Sequence, residues 1–89
     1  MIARVATFDQ LPTDLDDDAV ALLRKTVRET PGYVAGFHLG TAGDKAISVL
    51  VCEDEEAGRR VAERMAARPD DGKVGIDPDR VEYFEAQPF

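Results

Sequence analysis

The residues Ile2-Ala3-Arg4-Val5-Ala6-Thr7-Phe8 are rich in β-branched side chains, and Pro12 follows shortly after, so they predict a first strand. From Asp14 the period changes. Leu15, Ala19, Leu22 or Leu23, and Val27 recur at helical spacing, with Arg24, Lys25 and Arg28 on the other face. Thr13 or Asp14 suits an N-cap, and Asp16, Asp17 and Asp18 fall in the first turn, where the helix dipole favours negative charge. Pro31-Gly32 stops this first helix. Tyr33 to Leu39 predicts a second strand and Lys45 to Cys52 a third, joined as a hairpin by Gly40-Thr41-Ala42-Gly43-Asp44. The acids Glu53 to Glu56 open a second helix, in which Ala57, Val61 and Met65 repeat every four residues until Pro69. A loop with Pro69, Gly72, Gly75 and Pro78 leads to a last strand, Arg80 to Ala86.

The order is βαββαβ over a single domain, residues 1–89. It predicts an α+β, ferredoxin-like sandwich with two helices on one face of a four-stranded antiparallel sheet. Strands one and three then lie in the middle. The third strand, Ala46-Ile47-Ser48-Val49-Leu50-Val51-Cys52, carries no charge on either face, whereas a half-exposed strand should alternate apolar with polar. Ile47, Val49 and Val51 form the greasier face and are expected to meet the helices. Ala46, Ser48, Leu50 and Cys52 would then make an apolar patch on the other side, and a face-to-face homodimer is the economical cover for it. In a monomer, Arg4 and Glu85 would have to cover that face with their long side chains.

Charge and composition narrow the classes. Eighteen acids against eleven bases give a net charge of −7, which argues against a nucleic-acid or anionic-membrane partner. One cysteine, Cys52, and one histidine, His38, leave no disulfide and no zinc site, so no metal or cofactor is expected. No apolar run approaches a membrane span and nothing resembles a signal peptide; a soluble, cytoplasmic protein is expected. The Arg-rich, Lys-poor composition points to a bacterial source.

Three stretches carry a family resemblance. They are Met1-Ile2-Ala3-Arg4-Val5, the turn and strand Pro31-Gly32-Tyr33-Val34-Ala35-Gly36-Phe37, and Lys45-Ala46-Ile47-Ser48-Val49 running into Glu53-Asp54-Glu55-Glu56-Ala57. Together they resemble the dimeric α/β-barrel superfamily, in its antibiotic biosynthesis monooxygenase branch. The resemblance implies a homodimer whose sheets close face to face, with a small-molecule pocket between each sheet and its helices or inside the barrel. It also implies, for some members, oxidation of aromatic polyketide intermediates without metal or flavin. The best-studied of these oxygenases rely on an asparagine and a tryptophan. This chain has neither, and Cys52 stands where tryptophan often precedes the acidic helix start. The resemblance therefore carries the fold further than the chemistry.

Three residues stand out as candidates for a site. His38, on the face of the second strand shared with Val34 and Gly36, is of the type that moves protons near neutrality or ligates haem; the alternative is a partly solvated strand-end side chain. Tyr33 follows the turn at a sheet end and shares a strand face with Phe37, where its hydroxyl can orient a flat apolar ligand. Phe37 and Phe84 are expected to serve packing. Arg4, a charge in an apolar central strand, suits a carboxylate, phenolate or enolate oxygen; the alternative is an interface ion pair with Glu82 or Glu85. Cys52 reads as a small buried apolar residue. Arg60, Arg64 and Arg68 read as a solvated stripe flanked by Glu56 and Glu63.

The expected function is binding of a small, largely apolar organic molecule by a homodimeric barrel. A cofactor-independent monooxygenase is the alternative, and a structural dimer without ligand the third reading.

Overall fold

The computed structural model describes residues 1–10, 17–40, 45–67 and 78–89. Its elements are β1 (Ile2–Phe8), α1 (Asp17–Arg28), β2 (Tyr33–Gly40), β3 (Ala46–Cys52), α2 (Glu55–Ala66) and β4 (Arg80–Glu85). Type and order agree with the hydropathy pattern. The N-cap expected at Thr13 or Asp14, the Gly43 hairpin loop, Arg68 and the loop of Pro69, Gly72 and Gly75 lie outside the described residues. The strands form one sheet in the order β2-β3-β1-β4, every neighbouring pair antiparallel. This is the ferredoxin-like α+β arrangement.

Local chemistry explains where the helices start and what they bury. Asp54, in extended conformation, caps α2 by accepting a hydrogen bond from the Ala57 amide at 2.8 Å, and Glu55 and Glu56 fill the first turn. Ala57, Gly58 and Val61 form the buried stripe of α2. On α1 the periodicity resolves in favour of Leu23, which packs on the core beside buried Val27, while Leu22 is 59% exposed. The core proper is Val27, Leu50, Cys52, Ala57 and Val61, with Leu23, Tyr33 and Met65 against it. A fully buried valine such as Val61 contributes roughly 1.5–3 kcal/mol. Gly32 has φ +92°, and a Cβ there would collide with the Ala57 methyl. Only glycine lets the turn before β2 pass this close beneath α2.

The register overturns the expected facing of β3. Leu50 and Cys52 belong to the core with the helices, so Ala46 and Ser48 share their side, and Ile47, Val49 and Val51 point away. The reason is proximity: α2 approaches through Ala57 and Gly58, and the sheet beneath answers with small residues such as Ala6, Ala46 and Cys52, each 1% exposed. Greasiness did not distinguish the faces because both are apolar. A second correction concerns Tyr33 and Phe37. The β2–β3 register shifts between Tyr33 and Ala35, and this bulge moves Tyr33 to the helix side while Phe37 stays on the open side.

Candidate functional site

Rows of paired residues across the sheet show what each face presents. On the helix side the rows read Tyr33–Cys52–Ile2–Glu85, then Gly36–Leu50–Arg4–Tyr83, then His38–Ser48–Ala6–Val81. On the open side they read Ala35–Val51–Ala3–Phe84, Phe37–Val49–Val5–Glu82 and Leu39–Ile47–Thr7–Arg80. Nine of those twelve open-side residues are apolar. Phe37 is 61% exposed, and Arg80 and Glu82 pair with each other at 2.9 Å. Arg4 and Glu85 lie on the helix side, so they do not cover the open face. Polar Tyr33, His38, Ser48 and Arg4 stand on the side that carries the helices, His38 exposed there, and the mostly apolar side is the one that no described helix covers.

Tyr33, His38 and Arg4 therefore share one face. Tyr33 and His38 come from the same strand, on either side of Gly36. The Tyr33 hydroxyl lies 3.1 Å from where a Gly36 Cβ would sit, so the ring runs along β2 in the direction of His38. Arg4 stands two strands away, about 9.5 Å across the backbone. Its half-buried side chain has a buried Nε with no hydrogen-bond partner among the described residues. Glu82, one of its expected partners, faces the other side and is held by Arg80. A buried guanidinium nitrogen without a hydrogen bond is costly unless something else pairs with it.

Cys52 is buried, and burial pushes its thiol above the ordinary 9.0; Asp54 adds to the rise, while Arg4 and Arg60 oppose it. It is a protonated packing group at neutral pH, as its sequence setting indicates. Glu56, Arg59, Arg60 and Glu63 line an open groove along the outside of α2, where their charges cancel. Arg60 departs from the expected solvated stripe. It is half-buried, with one terminal nitrogen 4.0 Å from the Gly32 Cβ position and a buried Nε that has no partner among the described residues.

Sequence reasoning overlooked Ser48 and Gly36. Ser48 pairs with His38 across β2–β3, and its signal was a lone hydroxyl in an otherwise apolar strand. Among the described residues, no helix is long and apolar enough to cross a membrane.

An asparagine-to-alanine variant of SnoaB, a cofactor-independent oxygenase from Streptomyces nogalater, matches this chain with a TM-score of 0.72. The fold is the same. The match covers 99% of this chain and 94% of that one at 18% identity. The unmodified SnoaB matches with a TM-score of 0.63 at 17% identity, covering 99% of this chain and 91% of that one. A monooxygenase from the ActVA-Orf6 gene of Streptomyces coelicolor, in complex with nanaomycin D, gives 0.65 at 17% identity over 99% and 88%. These likenesses bear out the resemblance to the antibiotic biosynthesis monooxygenase type at the level of fold. No protein-family model and no curated protein matches the chain.

Proposed function

We propose that this chain is a homodimeric α/β-barrel protein that binds a small, flat, largely apolar molecule between the sheet and its helices. The observation that carries this reading is the distribution of side chains over the two faces of the sheet. An apolar open face fits a second sheet, and polar groups on the helix side fit a ligand bearing one or two oxygen atoms. In this reading Tyr33 and His38 hold or move a proton on the ligand oxygen, and Arg4 stabilises negative charge there. The ActVA-Orf6 monooxygenase, of the same fold, holds nanaomycin D, which supports a ligand of this class.

The second reading is cofactor-independent oxygenation, favoured because SnoaB, of the same fold, is an oxygenase of that description. The substrate would then supply the electrons itself: an electron-rich anthrone consumes one O2, gains one oxygen atom as the quinone, and releases the other as water. Here His38 would take the acidic proton and Arg4 would stabilise the resulting enolate. Asparagine and tryptophan, absent from the chain, would play no part.

Titration of 1-naphthol into the protein, followed by calorimetry, tests the first reading. His38→Ala, Tyr33→Phe or Arg4→Gln should weaken binding about five- to tenfold by loss of one polar contact, with the melting temperature within a few degrees of wild type. Affinity unchanged in all three variants would contradict the assignment. An oxygen electrode with anthrone as probe separates the two readings.

A further inference from the structure

The helix-side face of β2 reads Tyr33, Gly36, His38, Gly40, and its two glycines differ in one respect. A Cβ on Gly40 would meet nothing within 4 Å among the described residues. A Cβ on Gly36 would stand 3.1 Å from the Tyr33 hydroxyl, 3.5 Å from its Cε2 and 3.1 Å from Leu50 Cδ2. Glycine in the interior of a strand costs stability and often marks a close approach. Here the group that approaches is a phenol. The bulge between Tyr33 and Ala35 turns Tyr33 to the helix side, and the missing side chain at Gly36 lets the ring lie down along the strand. The hydroxyl then rests on the row that contains Leu50 and Arg4, one row before His38, and makes no hydrogen bond to a described residue.

We propose that Gly36 is a positioning residue: it forms the notch that holds the Tyr33 hydroxyl over the Leu50–Arg4 row, where it meets the oxygen of a ligand. This rests on the reading that Tyr33 serves a ligand. An alanine at Gly36 demands that the phenol or Leu50 give way by a few tenths of an ångström. Leu50 is held in the core, 8% exposed, so the partly exposed phenol is the group that moves. The sheet itself loses nothing, because alanine is the better strand residue of the two.

Gly40→Ala supplies a matched control, since it makes the same change on the same strand and face without touching Tyr33. In a Tyr83→Phe background Tyr33 is the sole tyrosine, so its ring resonances can be followed directly. The ligand-free ring signals should shift in Gly36→Ala and stay in place in Gly40→Ala. Binding of 1-naphthol should weaken about fivefold in Gly36→Ala, the loss expected for one hydrogen bond. Naphthalene, which has no hydroxyl, should bind both variants like wild type. Adding Gly36→Ala to Tyr33→Phe should cost no further naphthol affinity, which a general loosening of the strand would not reproduce. Tyr33 signals that do not move in Gly36→Ala would overturn the proposal. Failure of the wild type to bind either probe would count against the ligand reading alone, while the ligand-free shift would still decide what Gly36 does.

Discussion

Cys52 couples the core to pH. Burial, more than the Asp54 carboxylate, raises its thiol above the ordinary 9.0, against the pull of Arg4 and Arg60. In the unfolded chain the thiol ionises at its ordinary value, so between the two values the unfolded state has released a proton that the native state retains. The stabilisation is therefore complete below about 9.0 and is lost as the pH rises through the folded value. Urea unfolding between pH 7 and 10.5 should show stability falling at the alkaline end, and Cys52→Ala should make that fall shallower. At the same scale, Arg4 and His38 were legible as lone polar residues in apolar strands. The side on which Tyr33 stands was not, because a bulge changes the alternation by one residue and leaves no mark in the hydropathy.

Helices and strands differ in how openly the sequence declares them. The α2 boundary was readable from its acids, and the hydrogen bond from the Ala57 amide to Asp54 is the physical form of that signal. Asp54→Ala should cost about 1 kcal/mol of stability. In a domain of this size that lowers the melting temperature by roughly 4–8 °C, measurable by circular dichroism at 222 nm. The six elements followed from periodicity and caps. Which face of β3 meets the helices did not, since Ile47, Val49 and Val51 are as apolar as a core and only the close approach of Ala57 and Gly58 decides between the two sides. Small residues under a near helix, and larger ones reserved for a surface farther off, is a packing rule that hydropathy alone does not express.

At the scale of the whole molecule, the mostly apolar face of the sheet lies away from the described helices. The open face is more apolar than the face assigned to it from sequence, with Phe37, Leu39 and Phe84 each at least half exposed. In the dimer proposed above, a second copy of the chain covers this apolar face. Leu50 lies beneath the helices, so a charge there reports on the core; Phe37, on the open side, is the position that reads the interface. Light scattering on the purified protein at micromolar concentration is the most direct measurement. A homodimer has twice the 9.7 kDa of one chain, the mass expected for the wild type, with a folded species of single-chain mass expected for Phe37→Glu. A well-folded wild type at 9.7 kDa would contradict it.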